Sequence, residues 1–312
     1  MTICVTSPVK PHHKAMLEAA AGEHTVLYGK EHLARAEIVI GDVGPTRLAT
    51  AKNLRWYHLV WAGIDRFTAD NFPAGARFTN GSDVYGVMIA EHMMACMLAL
   101  VRQLRHYDEN QQAHRWDRDW SEDTLEGKTV LILGAGDIGT QLARRLRGFD
   151  CRIIGIRRTE GDAPFFDEVY NTDKLDDLLP EADIVACALP GTPLTRGLLD
   201  KNRLLRMKKT ALLLNCGRGS LIDTKALEEV LADGHLGGVA LDVTDPEPLP
   251  EDSPLWDCRR VILTPHISGS SFGHVALTED KVYRLAAENL KRYLAGEPLL
   301  NEVDFETGYR RR

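Results

Sequence analysis

Cysteine is scarce and carries no pairing pattern. Cys4, Cys96, Cys151, Cys187, Cys216 and Cys258 form no CxxC pair, and most lie inside apolar runs. The expectation is reduced, buried thiols in a cytoplasmic protein, not a disulfide framework. There is no HExxH and no Cys/His cluster, so no metal is expected. The N-terminus has no basic start followed by an apolar run, so no secretory leader is expected either. Long hydrophobic runs are missing as well. The longest, Val87 to Leu100, is interrupted by Glu91 and His92, too short and too charged to span a bilayer. No internal repeat or low-complexity segment stands out. Positive charge is not in excess: the formal net charge is -7. That argues against a nucleic-acid groove or an anionic membrane as partner. Basic residues gather only locally, at Arg144-Arg145-Arg147, Arg157-Arg158 and Arg310-Arg311-Arg312. The first and last read as a solvated helix face and a loose terminus.

What is present is enough for real cores: 312 residues, 44% of them apolar. That length favours two domains. The first hundred residues alternate β-like runs (Ile3-Cys4-Val5, Ile38-Val39-Ile40, Trp56–Val60) with helical ones such as Lys14–Ala21. Such alternation predicts a parallel sheet with crossover helices. A long helical pattern then runs from Val84 to about Gln112, with Ile89, Met93, Met97 and Leu100 at helical spacing. A polar connection, Arg115 to Lys128, follows. After it comes a clearer βα rhythm, with candidate strands Thr129–Leu133, Cys151–Ile156, Asp183–Leu189, Ala211–Asn215, Gly238–Val243 and Val261–Thr264. Helical stretches, for example Thr140–Arg147 and Thr224–Ala232, fall between most of them. This is the pattern of a doubly wound α/β domain. From about Val282 the tail reads as a helix returning to the first domain.

The strand Thr129–Leu133 runs into Gly134-Ala135-Gly136-Asp137-Ile138-Gly139, a GxGxxG turn that opens a helix. Each glycine has its own reason. Gly134 permits the tight turn, Gly136 lets backbone approach a pyrophosphate, and Gly139 lets helix and strand pack closely. The helix start at Asp137 and Ile138 adds unpaired N–H groups and positive dipole charge for the phosphates. A dinucleotide is the expected ligand. The end of the next strand selects between nicotinamide cofactors. An acid there would accept hydrogen bonds from the ribose of NAD and repel the extra phosphate of NADP. This strand ends in Arg157-Arg158-Thr159 instead. Guanidinium forks match phosphate geometry and a hydroxyl can add a bond. NADP(H) is therefore expected to be preferred, with NAD(H) still possible; a merely solvated basic pair is the alternative.

Three polar residues stand just beyond predicted strand ends, where ligands of such sheets lie. Arg218 follows Asn215, Glu247 follows Val243, and His266 follows Thr264. Their types suit reduction of a 2-oxo acid. Histidine, with a reference pKa of ~6.5, can move the proton. A carboxylate beside it favours imidazolium and fixes the ring, a role for Glu247. A guanidinium can grip the substrate carboxylate and polarise the carbonyl, a role for Arg218.

Together these motifs resemble the D-isomer-specific 2-hydroxyacid dehydrogenase family. The likeness covers nearly the whole chain. It includes Trp61–Asp65, Thr79-Asn80, Ala90-Glu91-His92, Gly134–Gly139, Leu189-Pro190, Asn215–Gly219, Leu241–Pro248 and Thr264–His266. The resemblance implies two doubly wound domains, with a Rossmann dinucleotide-binding domain (99–282) inserted in a flavodoxin-like substrate domain (1–98 and 283–312). It implies an active site in the cleft between them, and a homodimer. It implies Arg218, Glu247 and His266 as the catalytic set, and N–H groups of Ala62 and Gly63 on the substrate carboxylate. Leu189, Pro190, Cys216 and Asp242 are implied at the cofactor, the last two at the nicotinamide amide. Glyoxylate/hydroxypyruvate reductases and related NADPH-using 2-ketoacid reductases look nearest.

Departures from the family pattern narrow the expectation. Many relatives carry Asp where Arg157 stands, which supports NADP(H). Formate dehydrogenases have Gln in place of Glu247, which disfavours formate. The extra C-terminal regulatory domain of many phosphoglycerate dehydrogenases is not seen in the sequence. Trp61 is bulkier than the residue many relatives have there, and either shapes the substrate pocket or simply packs. Two rival readings exist. A dinucleotide-sensing binding protein of corepressor type shares the fold and usually the triad. Another Rossmann enzyme, such as an amino-acid dehydrogenase, would leave the three strand-end residues unexplained. Which small 2-oxo acid is the substrate is left open.

Overall fold

The computed structural model describes residues 1–118, 121–158, 161–269, 275–306 and 309–310. The chain packs as two compact units, Met1–Tyr85 with Ser270–Arg312, and Gly86–Gly269. The first begins with β1 (Thr2–Val5), α1 (Pro11–Ala21), β2 (Thr25–Tyr28), β3 (Ile38–Gly41), a short α2 (Pro45–Leu48), β4 (Trp56–Leu59) and β5 (Arg77–Asn80). The sheet is parallel, in the order β2-β1-β3-β4-β5. That is the flavodoxin-like order. Strands of such a sheet are covered on both faces, which is why β1 and β3 read as unbroken apolar runs. Alternate side chains serve opposite faces. Ile3, Val5, Ile38, Ile40 and Trp56 join one core, while Cys4, Val39, Tyr57, Leu59 and Phe78 join another. Helix α1 starts earlier than its apolar spacing suggests, because Pro11 occupies the first turn, where its missing N–H costs nothing.

The second unit holds α3 (Gly86–Val101), α4 (Leu104–Gln112), β6 (Thr129–Leu133), α5 (Asp137–Leu146), β7 (Arg152–Ile156), β8 (Glu168–Tyr170) and α6 (Leu175–Leu178). It continues with β9 (Ile184–Cys187), α7 (Lys201–Arg206), β10 (Leu212–Asn215), α8 (Thr224–Ala232), β11 (Gly238–Leu241) and β12 (Val261–Leu263). The parallel sheet runs β12-β11-β10-β9-β6-β7-β8. Strand order reverses between β6 and β9, the switch point at which doubly wound sheets bind ligands. The expected single helix from Val84 to Gln112 is two. Gln103 takes a left-handed φ of 53°, which a right-handed helix cannot continue. The polar α4 turns away from the buried, apolar α3, and its Arg105 bonds the Cys258 carbonyl at 3.2 Å. Among the described residues no single helix is long and apolar enough to cross a membrane.

The chain then returns to the first unit through α9 (Ala276–Leu294). Its buried stripe of Tyr283, Ala286, Ala287 and Leu290 packs with Leu17, Ala20 and Ala21 of α1. His12 and His13 Nε2 share one oxygen of Asp280, at 2.9 and 2.8 Å, which clips the two helices together. The sequence reading cut α3 at residue 98 and α9 at 282; in the structure both helices are whole, α3 in the second unit and α9 in the first.

Candidate active site

The glycine-rich turn leaves β6 at the switch point. Gly134 has a φ of +115°, and a Cβ there would come within 2.9 Å of the Ala188 backbone. A Cβ on Gly139 would lie 2.0 Å from the Gly134 carbonyl, so only glycine allows α5 to start this close to the strand. Gly136 differs: nothing lies within 4 Å of its Cβ position, and the residue is exposed. The open space lies at the N-cap of α5, a helix whose first N–H groups have no carbonyl one turn back. That combination fits a pyrophosphate. Asp137 keeps its carboxylate out of the way by accepting the Gly86 N–H at 2.8 Å, at the start of α3. A side chain on Gly86 would collide with that carboxylate at 2.4 Å. The sequence reading missed Gly86, since nothing local marks it. Ile138 stands half-buried in the first turn of α5.

Arg157 sits at the end of β7. Its N–H bonds the Tyr170 carbonyl at 3.0 Å, and its guanidinium donates to the Gly161 carbonyl at 2.9 Å. Arg158 beside it is exposed, and Thr159 lies outside the described residues. Both arginines stand at the strand end that follows the glycine-rich turn in the sheet, on the β6 side of β8.

On the other side of β6, the exits of β9, β10, β11 and β12 lie side by side. Leu189 and Pro190 follow β9. The loop after β10 passes so close that a Cβ on Gly217 would meet the Leu189 carbonyl at 2.5 Å. Fully buried Asn215 shapes that loop: it donates to the Arg218 carbonyl at 2.9 Å and accepts the Gly217 N–H at 3.0 Å. Arg218 is half-buried, and its guanidinium donates to the Gly217 carbonyl at 2.8 Å. Burial pushes the Cys216 thiol well above its ordinary pKa, with the Asp242 charge adding to it, so this sulfur is no nucleophile.

Beyond β11, Asp242 is buried. Burial acts to raise its pKa, but hydrogen bonds from Ser268, Thr264 and the N–H groups of Ile267 and Ser268 outweigh that and hold it below the usual carboxylate value. Further along the same loop, Glu247 Oε1 lies 2.7 Å from His266 Nδ1, and both side chains are exposed to solvent. Thus Glu247 and His266, 19 residues apart in sequence, meet beyond adjacent strands β11 and β12. A carboxylate on Nδ1 leaves Nε2 as the nitrogen that can exchange a proton with a ligand.

Ala62 and Gly63 belong to the first unit, in the loop after β4. The loop is held by Asn80, which donates to the Ala62 carbonyl at 2.7 Å, and by the Gly81 N–H on the Trp61 carbonyl at 2.9 Å. Among the described residues no acceptor is found for the N–H of Ala62 or of Gly63. The Trp61 indole N–H donates to Asp42 at 3.0 Å, and its ring stacks on Tyr85 at 6.0 Å, so it is locked in place within its own unit.

Residues 94–268 match the profile described as D-isomer specific 2-hydroxyacid dehydrogenase, NAD binding domain. Glyoxylate/hydroxypyruvate reductase B of Pectobacterium carotovorum is 35% identical over 285 residues, covering 87% of each chain. A crystal structure of a D-isomer specific 2-hydroxyacid dehydrogenase from Xanthobacter autotrophicus Py2, in complex with NADPH and MES, superposes with a TM-score of 0.85 at 30% identity, over 99% of each chain. The NADPH-dependent glyoxylate/hydroxypyruvate reductase of Sinorhizobium meliloti, with NADP and sulfate, gives a TM-score of 0.84 at 27% identity, again over 99% of each. The chain spans about half the length (49%) of the mycobacterial D-3-phosphoglycerate dehydrogenases it also matches. The named relatives are enzymes, which does not favour the corepressor-type alternative. The chain therefore belongs to the D-isomer-specific 2-hydroxyacid dehydrogenase family, and is an NAD(P)-dependent oxidoreductase.

Proposed function

We propose that this protein reduces small 2-oxo acids to D-2-hydroxy acids, using NADP(H) in preference to NAD(H), with His266, Glu247 and Arg218 as its catalytic residues. The observation that carries the reading is the 2.7 Å contact between His266 Nδ1 and Glu247, beyond the strand next to the one that ends at Arg218. When bound, the reduced nicotinamide supplies the hydride that the carbonyl carbon takes up. His266 gives the proton from Nε2 to the carbonyl oxygen. Glu247 stabilises the imidazolium before transfer and keeps the ring oriented afterwards. Arg218 binds the substrate carboxylate and polarises the carbonyl, so that charge building on oxygen meets a fixed positive group. In the first unit, the N–H groups of Ala62 and Gly63 are suited to a carboxylate, since they have no acceptor of their own among the described residues.

Gly134, Gly136, Asp137, Ile138 and Gly139 receive the pyrophosphate in this reading, with Leu189, Pro190 and Cys216 lining the nicotinamide side. Arg157 and Arg158, with Thr159, take the extra phosphate of NADP. The Xanthobacter and Sinorhizobium relatives were crystallised with NADPH and NADP, which supports the same preference. The names of the Pectobacterium and Sinorhizobium relatives support glyoxylate and hydroxypyruvate as the first substrates to try. The reading is that of a cytoplasmic homodimer. A panel of 2-oxo acids assayed with NADPH and NADH tests it. Turnover of several acids with a higher kcat/KM for NADPH is expected; a clear NADH preference removes the NADP assignment, and bound dinucleotide without turnover of any 2-oxo acid removes the enzymatic one.

A further inference from the structure

The glycine-rich turn carries a negative charge where its fold favours an anion from outside. Helix α5 begins at Asp137, the residue after Gly136, and the Asp137 side chain is half-buried. A pyrophosphate received at this helix start is itself an anion, so a carboxylate in the same first turn repels it. The carboxylate is turned aside in a specific way. Its Oδ2 accepts the N–H of Gly86, the first residue of α3, at 2.8 Å. A Cβ on Gly86 would lie 2.4 Å from Oδ2, 2.5 Å from Cγ and 2.6 Å from Oδ1. The whole carboxylate therefore rests on this glycine, 51 residues away in sequence, and any side chain there would displace it.

Further along the same helices, Arg145 of α5 reaches Glu91 of α3 at 2.8 Å. Gly86 thus meets Asp137 and Glu91 meets Arg145, so α3 and α5 run side by side in the same direction. Their N-termini come together at Asp137. Each helix start brings N–H groups with no carbonyl one turn back, and positive dipole charge confined to the first turn. Asp137 sits in the field of both. That field stabilises the carboxylate while no ligand is bound, and it is the same field that attracts a pyrophosphate. Gly136, beside Asp137, leaves the turn open on the ligand's side. Turning the carboxylate onto Gly86 clears the space but does not remove the charge.

We propose that Asp137 sets how tightly the dinucleotide is held: its carboxylate, seated on Gly86, opposes the charge of the pyrophosphate and lowers the affinity. The inference rests on the reading of the glycine-rich turn as the pyrophosphate site. The repulsion acts on the part that NADPH and NADH share, so Asp137 tunes both alike, whereas Arg157 in the same reading tells them apart. An aspartate that only capped the helix would, once neutralised, loosen the turn and weaken binding. An aspartate that repels the ligand does the opposite.

The experiment measures Kd for NADPH and for NADH by nicotinamide fluorescence, at low and high salt, on the full-length protein and its variants. Asp137→Asn keeps an oxygen for the Gly86 N–H and removes only the charge. It should tighten both dinucleotides by roughly tenfold at low salt. In about 1 M salt, where the screening length is about 3 Å, most of that gain should disappear. Weaker or unchanged binding of both dinucleotides overturns the proposal, and so does a gain that salt leaves untouched or that only one of the two shows. If Asp137→Asn does not fold, Asp137→Ser, which also lacks the charge, decides by the same criteria. Gly136→Val is the control for the underlying reading. Wild-type dinucleotide binding there places the pyrophosphate elsewhere and removes the role of Asp137 with it; weakened binding there, beside unchanged binding in Asp137→Asn, overturns the role of Asp137 alone.

Discussion

The two units repeat one architecture and put polar groups in different places. Both are parallel sheets with helices. In the second unit one face of the sheet carries an apolar core, from Leu131 and Ile154 to Val239 and Val261, and the buried polar residues nearest the candidate site, Asn215 and Asp242, stand at strand ends. In the first unit polar groups go inside. His58 on β4 is fully buried, its Nδ1 lies 2.7 Å from the Thr79 hydroxyl, which also accepts the Trp56 indole N–H at 2.9 Å, and its Nε2 has no partner among the described residues. The loop after its β4 carries backbone donors, at Ala62 and Gly63, where the strand ends of the second unit carry Arg218, Glu247 and His266. The fold is the same scaffold twice, and the chemistry lies in what each edge was given.

Predictions that test this contrast fall in order of expected size. His266→Ala should lower kcat by ~10²–10⁴-fold, with dinucleotide affinity intact. A loss of binding instead would place His266 in the cofactor site and dissolve the division of labour among the strand ends. Arg157→Ala should cost roughly 1.5–3 kcal/mol of interaction with the extra phosphate. That corresponds to a drop in kcat/KM for NADPH of about 10- to 100-fold and little change for NADH; equal losses with both cofactors would mean Arg157 only supports its loop. Two glycines of the same turn should separate binding from folding. Gly136→Val fills open space and should weaken dinucleotide binding without lowering Tm. Gly139→Ala meets the Gly134 carbonyl and should lower stability by about 1–3 kcal/mol; denaturant titration beside a binding curve reads both.

The smallest effect on activity is expected in the first unit. Burial pushes the His58 pKa down to about 3. Above the unfolded value of ~6.5 both states are neutral and the group is silent. As pH falls from there towards 3, the unfolded chain takes up a proton that the folded one refuses, and stability is lost. His58→Gln should flatten the acid side of a Tm-against-pH curve and leave kcat unchanged. An unaltered curve would mean that acid sensitivity arises elsewhere.

Legibility in the sequence followed burial. The central strands announced themselves as apolar runs, and so did the glycine-rich turn and the three strand-end residues. Among the strands that went unread, β2, β5 and β8 lie at the edges of the two parallel sheets, where a half-covered strand needs no apolar run. β5 has Phe78 as its sole large apolar residue and is tied by Arg77 to Glu302 at 2.8 and 2.9 Å, 225 residues away. The break at Gln103 was equally silent, because helical spacing runs through it while the backbone turns.

By itself the sequence determined which chemistry is available: a glycine-rich turn for phosphates, arginines where an acid would bar NADP, and an arginine, a glutamate and a histidine at strand ends. Residue type and local spacing suffice for that, since both are properties of short segments. Only the tertiary structure decided which of these groups meet. The pairing of His266 with Glu247 and the enclosure of Asp242 by Thr264, Ile267 and Ser268 depend on β10, β11 and β12 lying side by side. Sheet order is set by packing across the whole unit, and no short segment contains it.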